Sequence, residues 1–178
     1  TKPDSALIQA PNIPFALPSF SEEVHHEVEL VMRVGKRGKN IPREEAFNHI
    51  DGLGVGIDFT ARDLQRKAKD KGLPWAISKG FDGAACISPM EPIDSFPKLD
   101  SLHFKLEVNG EQRQYGDTSL MLYPFDYQIH YISQFMTLNK GDLIYTGTPK
   151  GVATVHKDDI LSAYIEDDRK LHIMVASE

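Results

Sequence analysis

A single cysteine, Cys86, among 178 residues excludes an internal disulfide and suits a reducing compartment. It stands in Ala84-Ala85-Cys86-Ile87 and reads as a small buried apolar residue. Long apolar runs are missing too: none approaches the ~20 residues that a membrane-spanning helix needs. There is no basic cluster either. Twenty Lys and Arg are interleaved with 26 Asp and Glu, for a net charge of −6, which excludes a nucleic-acid patch or a polybasic membrane anchor. Tryptophan occurs once, but nine Phe and six Tyr can pack a core, and the length fits one domain. Neither an initiator Met nor a signal peptide precedes Thr1-Lys2-Pro3, so we expect further residues upstream and a cytoplasmic location.

Pro3, Pro11, Pro14 and Pro18 disfavour a regular helix and suggest that residues 1–20 form an extended arm lying over a domain of residues 21–178. A first strand is expected around Val24 to Met32, then a turn over Gly35 to Asn40 and a short helix with Pro42 at its first turn. Gly52-Leu53-Gly54-Val55-Gly56-Ile57-Asp58 reads as a strand whose glycines mark close backbone approach. Its spacing does not fit a dinucleotide-binding loop. Thr60 is expected to cap a helix that Gly72 stops. Asn109-Gly110 predicts a hairpin between Leu102–Val108 and Glu111–Tyr115. Phe125, Ile129, Ile132 and Met136 fall at helical spacing. Two last strands, 160–166 and 170–175, are joined by Asp167-Asp168-Arg169. The chain is therefore β-rich α+β, with mixed or antiparallel sheets and a few short helices.

The segment "HHEVEL", residues 25–30, raises the chemical question. With a period of two, Val28, Leu30 and Met32 share one face while Glu27 and Glu29 share the other. That acidic face either lies in solvent, as in many antiparallel sheets, or binds a divalent cation, because neighbouring carboxylates away from water cannot both stay ionised unaided. A hard cation needs more oxygen ligands, and Asp58, at the end of an apolar strand, is the best third candidate. Arg62 and Gln65 lie three apart on the following helix and could meet an anionic substrate, or be solvated with their many basic neighbours. Lys79 is a lone cation in a mostly apolar stretch. Tyr145-Thr146-Gly147-Thr148-Pro149 reads as a tight loop that either binds an anion through backbone N–H groups or simply turns the chain.

The blocks "KPDSAL", "HHEVEL", "GIDFTARDLQ", "KGLPWAISKGFD", "GDTSLM" and "LIYTGTPKGV", in that order, resemble the fumarylacetoacetate hydrolase superfamily. The closer likeness is to its acylpyruvase, fumarylpyruvate hydrolase and oxaloacetate decarboxylase branch. The resemblance implies mixed sheets rolled into a β-clip-like fold. It implies one Mg²⁺ or Mn²⁺ per chain on Glu27, Glu29 and Asp58, and a small anionic 2-oxo acid held by Arg62, Gln65, Lys79 and Thr148. The resemblance also implies a catalytic part for Lys79 and a homodimer. Similar enzymes cleave 2,4-dioxo acids to pyruvate and a carboxylic acid, and Lys79 would support the oxyanion of the departing pyruvyl group.

Two departures stand out. Nothing here matches the family's acid–base motif, a His and a Glu upstream of the "KP" block, and His25 and His26 are not given that role. The glycine usual after "TPKGV" is Ala153. Oxaloacetate decarboxylases and hydroxymuconate-type isomerases share the same residues, so the reaction stays open. A non-catalytic, cation-stabilised binding protein is the reading from another class. A phosphohydrolase is disfavoured because such sites usually pair two metals.

Overall fold

The computed structural model describes residues 1–9 and 13–177; Pro11 of the expected arm lies outside them. In chain order the strands are β1 (Leu7–Gln9), β2 (Phe15–Leu17), β3 (Val24–His26), β4 (Val28–Val34), β5 (Ile50–Asp58), β6 (Thr60–Ala61), β7 (Ala85–Ile87), β8 (Glu91–Pro92), β9 (His103–Val108), β10 (Glu111–Asp117), β11 (Leu143–Tyr145), β12 (Ala153–Thr154), β13 (Ile160–Ile165) and β14 (Asp168–Ser177). Three α-helices are interspersed: α1 (Arg62–Asp70), α2 (Ala76–Lys79) and α3 (Phe125–Phe135). No helix among the described residues is long and apolar enough to cross a membrane.

The strands form three sheets. One runs β1-β7-β5-β4-β11 with β8 added to β5, a second runs β10-β9-β13-β14-β2, and the small third is β12-β3-β6. Pairing is antiparallel except for β1 with β7 and β14 with β2, so the expected β-rich α+β architecture with mixed sheets is the one observed. The proline-rich start supplies both parallel edge strands, one to each large sheet. Phe15 from β2 stacks on Phe59 just beyond β5, and both rings are fully buried. β4 and β5 form the centre: Val28, Leu30, Val31, Met32, Leu53, Val55 and Ile57 are all inaccessible to solvent. Gly56 explains the glycine-rich strand, because a Cβ there would lie 2.7 Å from Cys86 O and 2.7 Å from the Tyr145 ring. Only a residue without a side chain lets that ring lie against the strand.

The expected hairpin is present, with φ of 54° at Asn109 and 81° at Gly110, the left-handed pair that a two-residue turn needs to follow strand twist. Other expectations need correction. Thr60 does not cap α1: it pairs with His25, and this bridge holds 60–61 extended, so the helix starts at Arg62 without a side-chain cap. The segment after Pro42 is a 3₁₀ turn, Arg43–His49. The last strands join through Glu166-Asp167, with Glu166 at φ 52°; Asp168 and Arg169 already pair with Ile165 and Tyr164. Met136 lies past the end of α3 and is 48% exposed, while buried Ser133 takes the core-facing place and accepts the Ile41 N–H at 2.9 Å.

Candidate metal and substrate site

The antiparallel register of β4 and β5 assembles the acidic cluster. Val28 opposes Ile57 and Glu29 opposes Gly56, and the Asp58 N–H donates to Glu27 O at 2.8 Å, so Asp58 sits across from Glu27 at the strand ends. Glu29 faces a glycine, and the Tyr145 ring fills the space where a side chain at Gly56 would lie. Solvent does not cover this face: Glu27, Glu29 and Asp58 are 7%, 5% and 8% exposed. One oxygen from each lies within 4.8 Å of the others.

Cations surround the cluster unequally. Lys79, at the end of α2, donates to Glu27 Oε2 at 2.7 Å and to Asp58 Oδ2 at 2.9 Å. Arg62 Nη2 donates to Glu27 Oε1, Nη1 to Gln65 Oε1, and Nε to His25 Nδ1 at 3.4 Å. Lys2 Nζ lies 2.9 Å from Asp58 Oδ1 as an ion pair, but its hydrogen bonds are directed to Lys79 O and Ala84 O. Asp58 Oδ1 is buried, and the Lys2 ammonium is the cation it meets. Among the described residues, Glu29 receives only the Gly147 N–H, at 2.7 Å, from the loop after β11.

These surroundings set the charges. Burial pushes the Glu29 carboxyl up to about 7, with Asp58 and Glu27 adding to the rise and the Gly147 N–H opposing it. Burial acts on Glu27 too, but Lys79 and Arg62 outweigh it and hold that carboxyl below the usual range. Burial likewise works against the Lys79 ammonium, and Asp58 with Glu27 overcomes it, so Lys79 is held charged more firmly than an ordinary lysine. Lys2 shifts downward, because burial exceeds the help from Asp58.

Three buried carboxylates with oxygens within 4.8 Å of one another, one of them poised to lose its proton near neutrality, are a donor set suited to a hard divalent cation. Glu27, Glu29 and Asp58 would hold it. Because Glu29 must then release its proton, Mn²⁺ affinity should be about tenfold weaker at pH 6 than at pH 8, checked by calorimetric titration at the two pH values. The same shift has a sign for folding. Glu29's folded pKa is raised from 4.5 to about 7, so its contribution in chelator is full below pH 4.5 and is lost as pH rises through 7.

The remaining expected residues are divided. Lys79 lies within the cluster. Arg62 and Gln65 are bonded to one another, and Arg62 is committed to Glu27, so it braces a carboxylate. Thr148 stands next to Gly147, and its hydroxyl accepts from Gln114 Nε2 at 2.8 Å. Neither histidine of "HHEVEL" is free: His25 bonds Glu23 and Arg62, and His26 Nδ1 bonds Gln114 at 2.8 Å. Sequence reasoning overlooked Lys2, although it lies in the "KPDSAL" block, and it overlooked Gln114, for which no local pattern gave a signal.

The family model for the fumarylacetoacetate (FAA) hydrolase C-terminal region matches residues 1–175. The mitochondrial oxaloacetate tautomerase FAHD1 of Mus musculus is 42% identical over 153 residues, covering 86% of this chain and 69% of that protein. The mitochondrial oxaloacetate decarboxylase of Dictyostelium discoideum is 38% identical over 164 residues, covering 92% of this chain and 75% of that one. The crystal structure of fumarylpyruvate hydrolase from Pseudomonas aeruginosa in complex with Mn²⁺ and pyruvate superposes with a TM-score of 0.95 at 36% identity, over 99% of this chain and 77% of that one. Hydrolase, decarboxylase and tautomerase activities thus all occur among the proteins this chain resembles.

Proposed function

The chain belongs to the fumarylacetoacetate hydrolase family, and on that premise we propose that it is a divalent-metal-dependent enzyme of 2-oxo acids. The reaction we assign is cleavage of a carbon–carbon bond in a 2,4-dioxo acid, fumarylpyruvate or another acylpyruvate, to give pyruvate and a carboxylic acid. The observation that carries this reading is the buried cluster of Glu27, Glu29 and Asp58 with the Lys79 ammonium between two of them. The likeness to a hydrolase crystallised with Mn²⁺ and pyruvate supports it.

A cation held by the three carboxylates would act as a Lewis acid toward the substrate's carboxylate and 2-oxo oxygens. Water adds to the C4 carbonyl, the C3–C4 bond breaks, and its electron pair passes to the pyruvyl fragment as an enolate, which becomes pyruvate by taking up at C3 the proton that water gives up. Lys79, kept protonated by Asp58 and Glu27, supplies fixed positive charge beside the 2-oxo oxygen where that charge develops. The Thr148 hydroxyl offers a donor to the substrate carboxylate, while the neighbouring Gly147 N–H is given to Glu29. Arg62, itself bonded to Gln65, fixes Glu27. His25 and His26 are not assigned as the base that activates water, because His25 spends both ring nitrogens on Glu23 and Arg62 while His26 is buried away from water with Nδ1 bonded to Gln114.

Charge balance discriminates among substrates. Three carboxylates face Lys2, Arg62 and Lys79, so they cancel, and a bound divalent ion would leave two positive charges. A dianion such as fumarylpyruvate or oxaloacetate neutralises that surplus better than acetylpyruvate does. Oxaloacetate is the second reading, favoured by the 42% identity with an oxaloacetate tautomerase.

The test offers the full chain fumarylpyruvate, acetylpyruvate and oxaloacetate in turn, with Mg²⁺, Mn²⁺ or chelator. Chelator-sensitive pyruvate release, faster from fumarylpyruvate than from acetylpyruvate, is the expected result. Pyruvate from oxaloacetate alone, or loss of enol absorbance from oxaloacetate without pyruvate, would replace hydrolysis by decarboxylation or tautomerisation. Inertness toward all three would leave a binding protein.

A further inference from the structure

Gln114 is 1% exposed although its neighbours Arg113 and Tyr115 are exposed. The cause is local: the register of β10 against β9 slips between Gln112 and Gln114, and this bulge turns the amide inward. The loop after β11 meets the same bulge. Gly151, at φ 104°, comes so close that a Cβ would lie 2.2 Å from Arg113 O.

All four hydrogen-bonding positions of the Gln114 amide are used. Oε1 accepts the Val28 N–H at 3.1 Å and bonds His26 Nδ1 at 2.8 Å. Nε2 donates to Pro149 O at 2.9 Å and to Thr148 Oγ1 at 2.8 Å. Two of these partners admit one role only, since a backbone N–H can only donate and a carbonyl can only accept. They fix which end of the amide is oxygen and which is nitrogen. His26 must then carry its proton on Nδ1, and the Thr148 hydroxyl must act as acceptor toward Gln114. A hydroxyl has one proton, so that of Thr148 is left for a partner on its other side.

We propose that Gln114 is a positioning residue: it presets the Thr148 hydroxyl as a hydrogen-bond donor to the carboxylate of an anionic 2-oxo acid and ties that loop to the start of β4, next to Glu27. This rests on the reading of the site as one for metal and 2-oxo acid. Gln114→Glu separates the two ends of the amide. The carboxylate still accepts from Val28 and His26, so the strand is kept. On the other side it has no N–H to give, and the Thr148 proton turns toward it and away from the substrate.

The experiment measures Mn²⁺ binding, and then pyruvate binding in saturating Mn²⁺, by calorimetry on the full chain. For Gln114→Glu, Mn²⁺ affinity should stay within about twofold. Pyruvate affinity should fall about tenfold to a hundredfold, the range for losing a hydrogen bond to a charged group. Thr148→Val should lose a similar factor, Thr148→Ser should restore it, and Gln114→Glu should cost nothing further in the Thr148→Val background. Wild-type pyruvate affinity in Gln114→Glu, or losses that multiply in the double variant, would overturn the role of Gln114 while leaving the site intact. Should Gln114→Glu not fold, Thr148→Val binding pyruvate as tightly as the wild type would overturn it equally. Wild type that binds Mn²⁺ but not pyruvate would remove the substrate reading and this inference together.

Discussion

Glu29→Gln should lose at least about a hundredfold in divalent-dependent turnover, at or beyond the most that losing a residue merely supporting a metal ligand costs, and still fold. The geometry separates the two outcomes. Glu29 is 5% exposed, and its one hydrogen bond is from the Gly147 N–H, which a glutamine oxygen accepts equally well. The new amide nitrogen faces the carboxylates of Asp58 and Glu27, toward which it can donate. What disappears is a buried charge that its surroundings disfavour, as the rise of its pKa from 4.5 to about 7 records. In chelator at pH 8 the variant should therefore melt no lower than the wild type, and is expected to gain up to about 3 kcal/mol by the linkage of pKa shift to stability. At pH 5, where Glu29 is protonated in the folded wild type, that gain should shrink. Melts at both pH values, beside turnover with Mn²⁺, check it. Undiminished turnover would remove Glu29 from the metal site, and a collapse of the melting temperature would make it a structural carboxylate.

The legible parts of this site were those written in local pattern. Alternation placed Glu27 and Glu29 together, although the expected single strand is broken at Glu27 into β3 and β4 of different sheets and only Glu29 lies in β4, and the glycines of β5 announced the close approach that Tyr145 makes at Gly56. Asp58 stood out because it ends an apolar run. Burial of the acidic face was not legible, since the same alternation describes a strand half in water; what decides it is the packing of β11, α2 and the N-terminal segment around those strand ends. Lys2 reaches Asp58 from far away in sequence, through the segment that also gives β1. Gln114 depends on a bulge, and a bulge reverses the facing that a period of two assigns. Thr60 had the composition of a helix cap, yet pairing with β3 took it into a strand, so long-range pairing prevailed over a local preference.

Removing Lys79 tests the cation question from the other side, because it takes away charge compensation and leaves the ligands in place. In Lys79→Met the Glu27 and Asp58 carboxylates lose the ammonium that bridges them at 2.7 and 2.9 Å, while Arg62 on Glu27 and Lys2 on Asp58 remain. Breaking a buried ion pair on one side costs ~3–5 kcal/mol, and the 22% exposure of the Lys79 side chain puts the loss at the lower end. In chelator the melt should fall by roughly 6–12 °C for a chain of this size. Mn²⁺ should raise it more in the variant than in the wild type, since a cation on the three carboxylates restores the missing positive charge. Turnover should not follow. A metal can replace Lys79 in balancing the carboxylates but not as a second positive group beside the 2-oxo oxygen, so kcat is expected to stay down by about 10²–10³, the usual cost of losing one oxyanion donor. Full recovery of kcat with Mn²⁺ would confine Lys79 to charge balance, and an unchanged melt in chelator would show that the cluster tolerates its charges without it.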